Sequence, residues 1–160
     1  MIGIASRFRP WGRPFQPYDL NVHATDPGDL TGLSKEEGTE FNGPPVVLTN
    51  NSPETVITFA TALVDDTLSN LVTDGIINAT GTLEPGQSQT ITPKFRPPDA
   101  GAFSATFQIQ LRLTAYAAEA WTAHNSADTE FLQRHPAYKV SRSVILTPSV
   151  TVAGSAYPDN

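Results

Sequence analysis

Residues 83–109 read LEPGQSQTITPKFRPPDAGAFSATFQI, and the last third of that stretch decides the fold class. Phe103, Ala105, Phe107 and Ile109 alternate with Ser104, Thr106 and Gln108. The pattern continues through Leu111, Leu113 and Ala115 against Gln110, Arg112 and Thr114. Successive strand side chains point to opposite faces, so strict period two predicts a strand with one buried and one wet face. Upstream, Pro85-Gly86 is a turn signal, and QSQTITPKF places Ile91, Pro93 and Phe95 on one parity. Proline has no N–H for a ladder, so the strand carrying Pro93 is expected to be an edge or to be bulged there.

The flanking sequence reads the same way. PPVVLTNN (44–51) and ETVITFATAL (54–63) are two strands, expected to form a hairpin around NNSP. VDDTLSNLVTDG (64–75) fits a loop with a short strand, or a helical turn, ended by Gly75; IINATGTL (76–83) is a short strand. YKVSRSVILTPSVTV (138–152) places Tyr138, Val140, Val144, Leu146, Val150 and Val152 on even positions. At about 3.3 Å per residue, strands over 102–116 and 138–152 reach roughly 45–50 Å, so this hairpin is expected to project past the body. Between them, residues 116–137 form an elaborated tip. There DTEFLQRH reads as a short helix, capped by Asn125, Ser126 or Asp128 and stopped by Pro136. Roughly six or seven strands joined by short turns predict an all-β, antiparallel β-sandwich.

Composition agrees. The chain has 160 residues, 14 prolines and 11 glycines to punctuate short elements, and only 16% charged residues. That length fits one domain with an appendage. The lack of cysteine excludes disulfides and thiolate metal ligands. MIGIASRFRPWGRPF carries its apolar run before its arginines, the reverse of a secretory signal, so an intracellular origin is expected. No run approaches the roughly 18 apolar residues of a membrane span, and no membrane partner is expected.

The net charge of −6 is unevenly spread. Residues 1–18 hold Arg7, Arg9 and Arg13 and no acid, which leaves −9 on the rest. Pro10, Pro14 and Pro17 exclude helix and central strand from this arm, while Phe8, Trp11, Phe15 and Tyr18 offer apolar anchors. Residues 19–43, with Asp26, Asp29, Glu36, Glu37 and Glu40, read as a polar, solvated connector. The expected division is therefore an arm and connector over 1–43 and a sandwich domain over 44–156.

PPVVLTNNSPETVITF followed by the 83–109 stretch resembles the immunoglobulin-like ASPM/Hydin-type (ASH) domains. Leu83, Pro85, Gly86, Thr90 and Ile91 match one block, Phe95 and Pro97 a second, and Ala100, Gly101, Phe103, Ser104, Ala105, Thr106 and Ile109 a third. The resemblance spans about residues 44–113; Pro93 departs from it, standing where that family carries a β-branched residue. It implies an immunoglobulin-like sandwich and a non-catalytic binding or scaffolding role.

The residues offer little chemistry. His124 and His135 are eleven apart and His23 stands alone, outside any known ligand spacing. Asp65-Asp66 reads as a turn pair, since neighbouring strand residues face opposite ways. No nucleophile elbow or phosphate-cradling glycine loop occurs. No enzyme activity, cofactor or metal is expected. Arginine interleaved with aromatics also holds single-stranded nucleic acid, but an acidic body opposes phosphate. The expected function is a structural protein of a large assembly. The specific expectation is a bacteriophage virion component, a capsid decoration (cement) or tail or connector accessory protein. Its interface would comprise Arg7, Phe8, Arg9, Trp11, Arg13, Phe15 and Tyr18, and its partners would be the major capsid protein or further copies of itself. The alternatives are a cytoplasmic ASH-like protein-binding scaffold module and a carbohydrate-binding sandwich. The tip candidates are Tyr116, Trp121 and Phe131, with Tyr116 and Trp121 stacking on sugar in the carbohydrate reading.

Overall fold

The computed structural model of the chain describes residues 20–160. Two sheets face each other across one apolar core. The first contains β1 (Val22–Ala24), β3 (Phe41–Asn42), β4 (Val46–Asn50), β6 (Val72–Ile77) and β8 (Ser88–Arg96). β8 lies in its middle, with β3 and β4 end to end on one flank and β6 on the other, and β1 lies beyond β4. The second contains β2 (Leu30–Glu36), β5 (Val56–Ser69), β7 (Thr80–Leu83), β9 (Gly101–Tyr116), β10 (Lys139–Ile145) and β11 (Val150–Tyr157). β9 is its spine, with β5 and then β7 on one flank. On the other flank β11 pairs with its first half and β10 with its second, and β2 lies beyond β11. All pairings are antiparallel except β2–β11. The chain is an all-β, immunoglobulin-like sandwich.

The alternation read in β9 forms the core wall. Phe103, Ala105, Phe107, Ile109, Leu111, Leu113 and Ala115 are all buried, and they meet Leu48, Ile91 and Phe95 of the opposite sheet. Phe95 lies 5.4 Å from Phe107 and 6.0 Å from Phe41, ring centre to ring centre. Each such side chain contributes about 1.5–3 kcal/mol of transfer free energy.

The opening stretch begins with a turn of the expected kind. The Gln87 N–H bonds to the Glu84 carbonyl at 3.0 Å, with Pro85 and Gly86 (φ +83°) between them. Glycine fills the position of that turn that needs positive φ. Pro93 lies in a central strand, not at an edge, and β8 itself is not bulged there: the extra residues lie in the strands on its two flanks. Its carbonyl accepts the Gly43 N–H at 2.7 Å, so its N-less side faces the β3–β4 break. On the other flank β6 shifts register between Thr73 and Ile76.

Four expectations give way. β4 and β5 form no hairpin, because they lie in different sheets and NNSP is an arch between them. Residues 64–75 are no loop; β5 runs on to Ser69 and β6 follows, with Gly75 inside the β6 bulge rather than ending an element. Residues 20–43 are no solvated connector. They supply β1, β2 and β3, each hydrogen-bonded into a sheet. Asp65 and Asp66 lie within β5, at its own register shift, with Asp65 at φ +50°.

The strand read over 138–152 is two strands. Two extra residues separate the β10 and β11 registers on β9, and Thr147 fills the gap by accepting the Ile109 N–H on its Oγ1 at 3.1 Å. The far end of β9 stays covered, with Ala115 and Tyr116 buried.

Candidate functional site

The tip and the strand edge beside it stand at one end of the second sheet. In the tip, α1 (Ala118–Asn125) was not legible in the sequence, because its alanine-rich run AEAWTA has no clear apolar period. α2 (Thr129–Arg134) is capped as expected, with Asp128 Oδ1 accepting the Phe131 N–H at 3.0 Å and Pro136 opening a 3-10 turn after it. Both tip histidines stand among aromatic rings. Tyr116, Trp121 and His124 form one triad with centres 5.0–5.4 Å apart. Phe131, His135 and Tyr138 form another at 4.5–6.0 Å. The structure thus brings Tyr116 and Trp121 together, but Tyr116 is only 4% exposed, with Trp121 and Phe131 half-buried. The interface candidates Arg7, Phe8, Arg9, Trp11, Arg13, Phe15 and Tyr18 lie outside the described residues.

Among the described residues, β10 hydrogen-bonds to β9 and to no other strand. The bonds Ala117 N–H to Tyr138 O (2.9 Å) and Leu146 N–H to Ile109 O (2.8 Å) fix which residues face inward. In an antiparallel ladder alternate residues bond to the partner, so Val140, Arg142 and Val144 bond to β9. Lys139, Ser141, Ser143 and Ile145 turn their N–H and C=O groups outward. All are exposed, including Ile145 at 46%. Beside this edge, the outer sheet face holds a shallow groove of about 570 Å³ lined by Thr58, Ala60, Arg112, Thr114, Ser141 and Ser143.

Arg112 and Arg142 have no carboxylate partner among the described residues. Lys139 stands 5.7 Å above the Tyr116 ring, a cation–π contact. Other charges are matched: Lys94 with Glu40 at 3.6 Å, and Arg134 with Glu130 at 2.8 Å. Arg96 bonds Asp74 through Nε at 3.1 Å and Nη2 at 3.3 Å. That pairing holds the Asp74 carboxyl below the usual aspartate range against the opposing effect of desolvation. Sequence reasoning missed the β10 edge because periodicity shows which face a residue takes but not whether a strand has a second neighbour. The one available signal was charge on a strand, Lys139 and Arg142, a common device on exposed edges.

Among the described residues no three histidine, aspartate or glutamate side chains converge to hold a metal, and no helix is long and apolar enough to cross a membrane.

No protein-family model and no curated protein matches the chain. Among solved structures it is similar to the ASH/PapD-like domain of human CEP192 (PapD-like domain 7). That match covers 100% of this chain and 99% of the other, with 11% identity and a TM-score of 0.48. It is also similar to WR4, a C. elegans MSP family member, over 85% of this chain and 97% of that one, with 12% identity and a TM-score of 0.38.

Proposed function

We propose that the chain is a non-enzymatic protein-binding module, and that an extended, acidic segment of a partner protein adds to the open edge of β10 as a further strand. One observation carries this reading. Among the described residues, the outward backbone groups of Lys139, Ser141, Ser143 and Ile145 have no strand to bond, and strand addition draws its affinity from such groups and its selectivity from neighbouring side chains.

The neighbouring charges favour an acidic segment. Arg112 lies on the outer face and Arg142 on the inner, one on each side of the edge, while the whole chain carries −6. Self-pairing about Arg142 would set that cation opposite its own copy, a destabilising arrangement. That register of self-pairing is disfavoured, and the cations on both sides of the edge suit an acidic strand. In the carbohydrate reading Tyr116 has no exposed face to stack on sugar. The arm-mediated virion role depends on residues outside the described part, and neither similar structure is a virion protein.

Selection from a randomised peptide library with the full chain tests the proposal. Bound peptides are expected to be extended and rich in Asp and Glu. Ser143→Pro, which removes an outward N–H, is expected to weaken them by about tenfold or more with an unchanged melting temperature. R112E/R142E is expected to abolish the acidic preference. Binding indifferent to both variants, or no binding at all, contradicts it.

A further inference from the structure

β10 begins at a hydrogen-bonded stop. The Lys139 N–H donates to the Pro136 carbonyl, across the 3-10 turn that follows α2. Among the described residues, no strand takes the outward N–H groups of Ser141, Ser143 and Ile145. A ladder added to this edge therefore has its last rung at the Lys139 carbonyl. Lys139 is also one wall of a notch of about 380 Å³, whose other walls are Thr129, Leu132, Gln133 and Pro136. The notch thus adjoins the end of the edge.

Residues 129, 132, 133 and 136 are spaced i, i+3, i+4 and i+7, which places them on one face of α2 and of the turn that continues it. The adjoining face is already engaged. Phe131 and His135 pack on Tyr138 with ring centres 4.5–6.0 Å apart, and Arg134 pairs with Glu130. α2 has no fully buried side chain, and Leu132 is half-buried at the margin of the core. The lining of the notch is mainly apolar, since long polar side chains such as Gln133 and Lys139 present their stems as well as their heads.

A flat edge does not fix register by itself. A strand held by backbone bonds alone can slip by two residues and keep the same side chains on the same faces. Pockets for individual side chains remove that freedom. The cations of the edge lie further along it: Ser143 stands opposite Arg112, and Arg142 is its neighbour in β10. From Lys139 to Ser143 a strand advances roughly 13 Å. An occupant that satisfies both ends carries an apolar group at one and a carboxylate at the other.

We propose that the notch between α2 and the start of β10 takes one large apolar side chain of the partner segment and thereby sets that segment's register. The side chain is a Leu, Met or Phe, about four positions from the acidic residue that faces Arg112. It packs on Leu132 and Pro136 as the backbone leaves the ladder at Lys139. This inference rests on strand addition at β10 and adds the residue that specifies the partner.

In the test, the tightest peptide that the full chain selects from a randomised library is resynthesised with each position changed to Ala in turn. One large apolar residue, about four positions from an acid, is expected to stand out, its loss weakening binding about tenfold. Gln133 is exposed, and Gln133→Trp fills the notch while leaving the strand edge as it is. This variant is expected to bind the parent peptide about tenfold more weakly, to bind the Ala-substituted peptide as the parent chain does, and to melt at an unchanged temperature. An apolar residue whose loss costs as much in Gln133→Trp as in the parent chain overturns the proposal. So does a peptide that has no such residue yet is weakened by Ser143→Pro, and strand addition then stands without the notch. No peptide binding at all overturns both. A dimer of the free chain that Gln133→Trp disrupts also overturns the proposal, assigning the notch to a second copy.

Discussion

The Asn50 carboxamide ties the two sheets together: its Nδ2 donates to the Leu83 carbonyl at 3.0 Å. It also donates to the Thr55 carbonyl at 2.8 Å, and its Oδ1 accepts the Ser52 N–H at 3.0 Å. Asn50 ends β4 in one sheet and Leu83 ends β7 in the other, so a side chain with no solvent exposure holds the arch that carries the chain across.

Asn50→Ala strands two carbonyls and one N–H in a dry environment. The expected loss is about 2–4 kcal/mol, seen as a fall in melting temperature of roughly 5–15 °C. Thr55→Val is the contrast. Thr55 Oγ1 is buried without a hydrogen-bond partner, so exchanging it for a methyl group of similar shape is expected to be neutral or slightly stabilising. A thermal melt of both variants checks the pair.

Thr147 stands in for a missing backbone acceptor. Thr147→Val keeps its volume but leaves the buried Ile109 N–H unpaired, an expected cost of about 1–3 kcal/mol. Thr147→Ser retains the hydroxyl and is expected to recover most of that loss in urea denaturation.

Ala127 follows α1 at φ +58°, where its N–H bonds to the His124 carbonyl at 3.3 Å. An L-residue with a Cβ is strained there and glycine is not. Ala127→Gly is expected to stabilise the fold by about 0.5–1 kcal/mol, against the usual direction of that substitution, and calorimetry reads the sign.

Arg96 lowers the folded-state pKa of Asp74, chiefly through their hydrogen bonds. A depressed carboxyl contributes stability above its unfolded-state pKa and loses it as pH falls through the folded-state value. Arg96→Gln is therefore expected to be less stable than the parent at neutral pH, with the gap narrowing below the ordinary aspartate range. Carboxyl chemical shifts are expected to show Asp74 titrating at higher pH in the variant.

β9 was legible because its alternating residues face a core on one side and solvent on the other, and nothing interrupts the period. The NNSP turn was misread because turn residues announce a reversal and not the sheet that receives the next strand. What carries the crossing, Asn50 bonded to Leu83, is a long-range contact with no local signature. β1, β2 and β3 escaped because short strands on polar sequence have too few alternations to count, and their pairing comes from β4, β11 and β8. Pro93 marked an irregularity but neither an edge nor a bulge of its own strand, since a strand with neighbours on both flanks accommodates proline where a neighbour breaks. Of the candidate site, Lys139 and Arg142 were visible as charges. Their open edge was not, because it depends on β2 pairing with β11 and going no further.

Amide hydrogen exchange along β10, residue by residue, shows whether its outer edge is open to a further strand. In the free monomer Val140, Arg142 and Val144 are expected to be protected and Ser141, Ser143 and Ile145 to exchange nearly unprotected, with those three slowing when a selected acidic peptide is added. Uniform protection along β10 in the free monomer, or no change at the three outward residues in the presence of bound peptide, would contradict strand addition at this edge.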